Sequence, residues 1–237
     1  DKSVTRAEFV SMVNNAFDID IDYDQASFSD VSYDKWYYKA VATAVTATYV
    51  AGSTDNTFRP NAPITRQEAA VMLSNLLPNY KEKGKLKSFK DYKQLASWAT
   101  AGMEKMIGRE YFGAYSDGLL HPTAPLTRAQ AAKILCDILD NETIVTRRTI
   151  VDEDKTTLSE KIYTGDVTID EDLGDGSAEI DNCVILGTLY VEGGGSKSIT
   201  INNSRVARVE VNREDDAVHV LTKGTTVIDK VTAYEKS

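Results

Sequence analysis

One short motif occurs three times in this chain at nearly constant spacing. Each copy reads Thr-Arg-x-Glu or Thr-Arg-x-Gln and opens an apolar segment; the copies begin at Thr5, Thr65 and Thr127, which are 60 and 62 residues apart. A threonine followed three residues later by Glu or Gln is a capping box, because each side chain accepts a hydrogen bond from a backbone N–H near the other. The sequence therefore predicts three equivalent helices in a repeated unit.

The three predicted helices carry the same apolar stripe. Apolar residues recur at offsets 4, 5, 8, 11 and 12 from each threonine, which places them on one helix face. Such helices must bury their stripes against one another, and a three-helix core with pseudo-threefold symmetry is the simplest arrangement. The stripe residues are Phe9, Val10, Val13, Ala16 and Phe17; Ala69, Ala70, Leu73, Leu76 and Leu77; and Ala131, Ala132, Leu135, Ile138 and Leu139.

Capping does not explain the arginine in each motif. A cation in the first helical turn opposes the helix dipole and costs about 0.3–1 kcal/mol, yet Arg6, Arg66 and Arg128 recur at the same offset. Guanidinium groups bind carboxylates bidentately, so the pattern favours an anion-binding role. The alternative is that these arginines lie over neighbouring surfaces or pair with acids, as exposed arginines commonly do.

Further elements recur between the predicted helices. A Phe-x-Asp run is followed by a tryptophan, a second helical segment, and a turn-rich connector that ends in proline. We expect the aspartates to cap or order the loop before the second helix. We expect the tryptophans in the core, with a role as ligand platforms as the alternative. The two sets are Phe28, Asp30, Trp36, helix 36–48 and connector 52–60, and Phe89, Asp91, Trp98, helix 95–107 and connector 114–122.

In combination these elements resemble the S-layer homology (SLH) repeat, which has Phe-x-Asp, then Trp, then a glycine- and aspartate-rich turn ending in proline, then Ile-Thr-Arg-x-Glu. Residues 28–77 match this pattern well, residues 89–139 match it adequately, and residues 4–17 resemble only its final helix. The resemblance covers about residues 4–140, so we expect the chain to begin inside a repeat.

The resemblance implies a function. SLH repeats typically occur in threes and anchor proteins to secondary cell-wall polymers of bacteria, often through a pyruvylated sugar. An anionic carbohydrate agrees with the recurring arginines, and a helix N-terminus adds backbone donors to the same site. Arg66 is the first candidate to bind the glycan, followed by Arg128 and then Arg6. The other glycan-binding candidates are Glu68, Glu8, Trp36, Trp98, Asp30, Asp91 and Gly52.

The chain departs from the SLH pattern at several positions. Gln130 replaces the acid of the third motif, which preserves the cap but alters the local charge. Ala114 stands where the family usually has glycine, and Asn56 stands where Asp-Gly is usual. The middle repeat is the most complete, and it is where we first expect a bound sugar.

The sequence pattern changes after about residue 143. Short segments of alternating apolar and polar residues follow, punctuated by glycine, asparagine and aspartate, as in strands and turns. Several recur about every 10 residues, and Asn182 lies 21 residues before Asn203. This predicts a parallel β-solenoid of roughly 20 residues per coil, with a small sandwich as the alternative.

The predicted fold class is α+β with two domains, namely a pseudo-threefold helix bundle followed by an all-β segment. Residues between the two domains are charged and β-branched, and they form a linker or a first strand in this interpretation. The boundaries are a helical module at 1–143 (partial repeat 1–27, repeats 28–88 and 89–143), a linker at 144–163 and a solenoid domain at 164–237.

Composition argues against several classes of function. The net charge is −9 and the pI is about 4.8, so nucleic acid is not an expected partner. Binding to an acidic polymer must then come from local sites. No apolar run approaches the ~20 residues that cross a bilayer, and no signal peptide opens the sequence. Cys136 and Cys183 are expected to be buried thiols in different domains rather than a disulfide.

No pattern in the chain predicts catalysis, a cofactor or a metal site. The acids at 18, 20, 22 and 24 resemble half a calcium loop, but Tyr23 and Ser29 occupy the positions that need glycine and glutamate. The two histidines are distant in sequence and lack the spacing of zinc ligands. Three acid runs are expected to lie on the surface; they are residues 152–154, 170–172 and 214–216.

The preferred hypothesis is a secreted, non-catalytic anchor of the bacterial cell wall or S-layer. In it, the helical module binds an acidic secondary cell-wall polysaccharide, and the β domain is a spacer or a self-assembly element. One alternative makes the chain a surface assembly module that binds no glycan. Another makes it the anchoring part of a carbohydrate-active enzyme.

Overall fold

The computed structural model describes residues 2–80, 86–196, 198–213 and 217–234. The acid run at 214–216 therefore lies outside the described residues. The helical module contains helices at the predicted capping motifs and at both predicted second segments. Its α-helices are α1 (Arg6–Ala16), α2 (Tyr38–Thr46), α3 (Arg66–Leu76), α4 (Thr100–Gly108) and α5 (Arg128–Asn141), with 3₁₀ turns at Leu86–Ser88, Tyr92–Gln94 and Ser97–Ala99.

The predicted capping boxes begin α1, α3 and α5. Thr5 Oγ1 accepts from the N–H of Glu8 at 3.2 Å, and Glu8 Oε2 accepts from the N–H of Thr5 at 2.8 Å. The same reciprocal pair is formed in α3 and in α5, where Gln130 replaces the acid and still accepts from the N–H of Thr127. All three predicted helix starts are confirmed.

A ring of backbone hydrogen bonds gives the module its pseudo-threefold symmetry. The N–H of Val4 donates to the C=O of Leu126 at 2.9 Å, the N–H of Ile64 donates to the C=O of Val4 at 3.0 Å, and the N–H of Leu126 donates to the C=O of Ile64 at 2.9 Å. Each residue directly precedes a capping threonine, and each is fully buried. The ring therefore brings the N-termini of α1, α3 and α5 to one end of the module.

The apolar stripe is fully buried at α3, buried at α1 except for the half-buried Ala16, and only partly buried at α5. Helices α2 and α4 pack against α1 and α3, whereas α5 is followed by a strand. As a result Ala132 and Leu139 are exposed, and the stripe prediction is wrong at these two positions. Cys136 lies on the same side of α5 and is also exposed, so its predicted burial is wrong. Cys183 is a buried thiol as predicted, and the two cysteines are not bonded.

The remaining chain forms a β-solenoid of about four turns, in which every paired strand is parallel to its neighbour. One sheet runs through β1, β4, β7, β9 and β11 with β2 and β5 beside them, and the other runs β3, β6, β8, β10. The strands are β1 (Ile144–Val145), β2 (Thr149–Val151), β3 (Thr156–Ser159), β4 (Ile162–Tyr163), β5 (Val167–Ile169), β6 (Ala178–Asp181), β7 (Val184–Val191), β8 (Ile199–Asn202), β9 (Arg205–Val211), β10 (Val220–Lys223) and β11 (Val227–Ala233).

The coil repeat is close to the predicted length. Ile199 pairs with Ala178 on one side and with Val220 on the other, so successive coils are 21 residues apart (199 − 178 and 220 − 199). One corner of each coil has a residue with positive φ, a conformation that Asn and Gly tolerate best. These corner residues are Glu160, Asn182, Asn203 and Gly224. The predicted solenoid is confirmed, and the sandwich alternative is wrong.

The first coil lies where the sequence predicted a linker. Strands β1 to β4 all fall within residues 144–163, and β1 pairs with β4 while β2 and β3 pair with the next coil. The linker assignment is therefore wrong, and the first-strand alternative describes this segment. The periodicity is hidden because these strands have only two to four residues each and charged residues separate them.

The solenoid docks directly on the helical module. Asn79, which follows α3, donates from Nδ2 to the C=O of Asn203 at 2.6 Å and accepts from Asn182 Nδ2 at 3.1 Å. Arg205 donates to the C=O of Thr48 at 3.0 Å. These contacts surround a shared core, to which the solenoid contributes Ile162, Val184 and Leu186.

No helix within the described ranges is long and apolar enough to span a bilayer.

Candidate functional site

The connector before α3 is held from two sides. The carboxylate of Asp30 accepts from the N–H of Phe58 at 2.8 Å and from the N–H of Arg59 at 2.7 Å. On the other side, the C=O of Phe58 accepts from Arg6 Nε at 2.6 Å. Arg6 thus reaches from α1 into the next repeat, and only 7% of it is exposed.

The connector before α5 repeats this arrangement. Asp91 accepts from the N–H groups of Leu120 at 3.0 Å and His121 at 2.8 Å, and the C=O of Leu120 accepts from Arg66 Nε at 2.8 Å. Desolvation alone would raise the pKa of Asp91, but the two N–H donors outweigh it and lower that pKa. Asp30 and Asp91 therefore order the connector after the second helix, which corrects the expectation that they cap or order the loop before it.

These contacts give Arg6 and Arg66 a structural role that requires no ligand. The guanidinium groups of Arg6 and Arg66 leave their own helices, donate to a connector carbonyl and lie over aromatic rings. Arg6 lies 4.8 Å from the ring centre of Phe58, and Arg66 lies 4.5 Å from that of Tyr115. The alternative kept open from the sequence, that the arginines cover neighbouring surfaces, describes Arg6 and Arg66. An anion-binding role for either remains a prediction.

A cluster of side chains lies beside each motif arginine, and the three clusters are named the first, second and third grooves. The first groove is defined by Arg6, Phe58 and Glu68; the second by Arg66, Tyr115 and Gln130; and the third by Arg128 and Glu8. In each groove, an arginine from one capping motif lies near the Glu or Gln that ends another. The ring of three motifs is closed, because Arg128 of the third motif lies beside Glu8 of the first. The three grooves differ in how that arginine is neutralised.

The arginine of the first groove is paired with an acid. Arg6 Nη1 lies 2.7 Å from Glu68 Oε1, and the side chains are 8% and 28% exposed. Arg128 Nη1 in the third groove lies 3.5 Å from Glu8 Oε1, but its side chain is 55% exposed and donates to no connector carbonyl within the described part of the chain. Both grooves therefore carry their own negative charge.

The arginine of the second groove has no carboxylate within 4 Å among the described residues. Arg66 Nη2 donates to the C=O of Gly113 at 2.8 Å, and Nη1 donates to Tyr115 Oη at 3.4 Å. Desolvation lowers the pKa of Arg66, although a guanidinium keeps its charge at physiological pH. The result is a buried cation whose hydrogen-bond partners are all neutral, while the charge of Asp91 acts from a greater distance to raise its pKa.

Tyr115 lies at the centre of the second groove. Its hydroxyl oxygen accepts from Arg66 Nη1 and also from Gln130 Nε2 at 3.0 Å. The described residues provide no acceptor for the hydroxyl proton, which can therefore be donated to a ligand. Sequence analysis did not select Tyr115, although the substitution at Gln130, its hydrogen-bond partner, pointed to this groove.

The two tryptophans are exposed, which contradicts their predicted place in the core. Trp36 is 66% exposed just before α2, and Trp98 is 57% exposed in the 3₁₀ turn before α4. The turn carrying Trp98 packs against α3, where Gln67 Oε1 accepts from the N–H of Ala96 at 3.0 Å. Exposed indoles of this kind are available as stacking platforms, the alternative considered from the sequence.

Gly52 has a packing role. A Cβ atom there would lie 2.2 Å from Phe28 Cε1, and Phe28 stacks on Phe58 at 5.8 Å between ring centres. Glycine is thus required by the aromatic pair under the first groove. A direct contact between Gly52 and a glycan stays a prediction.

The described residues hold no group of three or more His, Cys, Asp or Glu arranged to bind a metal ion. In the run of alternating acids, Asp24 pairs with Arg208 of the solenoid at 2.7 Å.

Comparison with known proteins identifies the helical repeats. The S-layer homology domain family matches residues 27–70 and 88–132. The Surface-layer 125 kDa protein of Lysinibacillus sphaericus is 31% identical over 182 residues, which is 75% of this chain and 14% of that protein. The Cellulosome-anchoring protein of Acetivibrio thermocellus is 33% identical over 97 residues, 40% of this chain and 22% of that protein. The Exoglucanase XynX of Acetivibrio thermocellus is 32% identical over 143 residues, 59% of this chain and 13% of that protein.

The chain spans less than a quarter of the length of each of these curated relatives. Enzyme relatives match only the SLH part of the chain. S-layer homology domains anchor surface proteins to the cell wall, which places this protein at the cell surface. The chain therefore contains two S-layer homology domains, at residues 27–70 and 88–132, and a parallel β-solenoid follows them.

Proposed function

We propose that this chain anchors its protein by non-covalent binding of an acidic secondary cell-wall polysaccharide, and that the second groove is the main binding site. The observation that carries the proposal is the buried guanidinium of Arg66, which has no carboxylate within 4 Å among the described residues. A buried cation with unused N–H groups favours an anionic ligand. A pyruvyl ketal on a sugar supplies such an anion.

The residues around Arg66 suit the ring of a sugar ligand as well as the negative charge of that ligand. Tyr115 offers a free hydroxyl proton, and Trp98 presents an exposed indole beside α3. Aromatic faces pack well against the apolar face of a sugar, while hydroxyl and guanidinium donors bind its oxygens. Binding of this kind requires no covalent step, and we propose that the chain itself is not catalytic.

The test is retention of the full chain on purified cell-wall sacculi before and after extraction of the secondary polymer. We expect retention only before extraction. Equal retention on both preparations, or none on either, would contradict the proposal. As a site-specific arm, Trp98→Ala should reduce retention several-fold more than Trp36→Ala. Both side chains are exposed, so neither change should lower the melting temperature by more than about 2 °C.

A second candidate function is self-assembly through the solenoid. Its last coil exposes apolar side chains on strands whose outer edges have no partner in the described residues, and unpaired edges favour strand addition. Concentration-dependent oligomers that form without glycan would favour this function. The exposed residues are Leu221, Val227, Val231 and Tyr234.

A further inference from the structure

The three motif arginines are alike in sequence and unlike in local charge. Glu68 neutralises Arg6 at 2.7 Å, whereas the equivalent position beside Arg66 is the neutral Gln130. Either side chain completes the capping box of its own helix. Replacing the acid by the amide therefore leaves the capping box intact but changes the charge of the neighbouring groove.

We infer that Gln130 and Tyr115 set the charge specificity of the second groove, which accepts a sugar carrying a carboxylate, whereas Glu68 makes the first groove reject one. This inference rests on the proposed function, because it assigns a ligand charge to the same groove. Two features support the inference: Gln130 stands where the other motifs have Glu, and the hydroxyl of Tyr115 accepts a hydrogen bond from the Gln130 amide.

The hydrogen bonds fix the direction of every donor in the second groove. Gln130 Oε1 accepts from the N–H of Thr127, so its Nε2 must point towards Tyr115. Tyr115 Oη already accepts from Gln130 and from Arg66, so its proton points away from both. The Tyr115 hydroxyl proton and the remaining Arg66 N–H groups are therefore donors without a partner among the described residues, and a charged acceptor binds such donors most strongly.

The first groove lacks this set of donors. Ser53 stands where Tyr115 stands in the next repeat, and Glu68 Oε1 occupies one guanidinium N–H of Arg6. A ligand carboxylate there would meet a fixed carboxylate within a few ångströms, and like charges at that distance repel. A neutral sugar is the ligand that this groove could still admit.

The central experiment exchanges the amide for the acid in the full chain. Gln130→Glu recreates the capping box that α1 and α3 already use, so the fold should persist. The matched control is Gln25→Glu, which adds the same charge at an exposed loop position remote from the grooves. The probes are the methyl glycosides of a pyruvylated N-acetylhexosamine and of glucuronic acid, each with its neutral methyl ester, titrated by calorimetry.

We expect Gln130→Glu to weaken binding of the acidic probe at least tenfold, and Gln25→Glu to change it less than twofold. The methyl esters should bind the wild-type chain at least tenfold more weakly than the acids. Comparing the affinities of the two acidic probes shows whether the groove prefers a pyruvyl ketal or a uronic acid. Tyr115→Phe removes the hydroxyl proton without adding charge, and should weaken acid binding threefold or more even if Gln130→Glu fails to fold.

Acid binding by Gln130→Glu within threefold of the wild-type value would overturn the inference, and so would equal affinity for acid and ester. These outcomes differ from failure of the proposed function. If the wild-type chain is not retained on polymer-bearing sacculi, anchoring itself fails; if it is retained and Gln130→Glu is retained equally, only the charge assignment fails.

Discussion

The first and second grooves are built on one scaffold and differ in charge. In both, an aspartate holds the N–H groups of a connector while the arginine of the preceding repeat holds its C=O. Only in the second groove does that arginine have no carboxylate within 4 Å among the described residues. A residue that caps one helix therefore also decides the charge of the groove beside it, so a substitution that is neutral for the fold can change ligand choice.

The largest effect should come from removing the arginine that supports the connector. Arg66→Ala leaves the buried C=O of Leu120 without its donor, which costs about 1–3 kcal/mol. It also removes the hydrogen bond to the exposed Gly113 and the packing of the guanidinium over Tyr115. We expect a loss of about 3–4 kcal/mol in the free energy of unfolding, measured by urea denaturation. A loss below about 0.5 kcal/mol would show that Arg66 does not hold the connector.

A smaller loss should follow when the aspartate of each scaffold is neutralised. Asp91 is 6% exposed while Asp30 is half-buried, so Asp91→Asn should cost about 2–3 kcal/mol and Asp30→Asn less, because charge-assisted hydrogen bonds weaken with exposure. Equal losses in the two variants would contradict the burial difference between the connectors.

The same variant makes a pH prediction. The pKa of Asp91 is lowered in the folded chain, so its contribution to stability is present above the unfolded pKa of about 4 and is lost as pH falls through the folded value. The difference in free energy of unfolding between wild type and Asp91→Asn should therefore become smaller as the pH is lowered from 5 to the lowest pH at which unfolding can be measured. A gap that stays constant over this range would contradict the shift.

A third contrast lies at the C-terminal end of α3, beside the solenoid, where Lys105 of α4 replaces the buried Thr43 of α2. Lys105 Nζ donates to the C=O groups of Ser74 and Leu77 at 2.8 and 2.5 Å. Desolvation, aided by the charges of Arg109 and Arg205, lowers the pKa of Lys105 to about 7.

Because the unfolded lysine holds its proton up to about pH 10.4, the unfolded chain binds more protons between pH 7 and 10. This group should make stability rise with pH there, by at most ~1.4 kcal/mol per pH unit. Lys105→Met should flatten that slope in denaturation curves at pH 7, 8 and 9. If wild type and Lys105→Met show the same dependence of unfolding free energy on pH, Lys105 is not the group that titrates.

Local signals accounted for much of this fold. The three capping boxes need only residues three apart, so their helix starts were predictable, and the 21-residue separation of Asn182 and Asn203 indicated the coil length. The first coil was missed because its strands are only two to four residues long and are separated by charged segments. Its pairing depends on later coils that carry the apolar pattern.

The site was less predictable than the fold because its contacts cross repeats. Arg66, Tyr115 and Gln130 come from three elements, and no local pattern links them. Burial of Trp98 was predicted from its size, but the turn that carries it faces outward. Exposure of Cys136 and Leu139 followed from what comes after α5, where a strand replaces the second helix that covers α1 and α3.

The most direct test of the central claim is to follow the arginine Nε–H signals of the full chain by NMR during titration with extracted secondary cell-wall polymer. We predict that the Arg66 signal shifts with the polymer while the signals of Arg6 and of Arg205 at the solenoid junction stay in place. A shift of Arg6 with none of Arg66, or shifts confined to solenoid arginines, would contradict binding at the second groove.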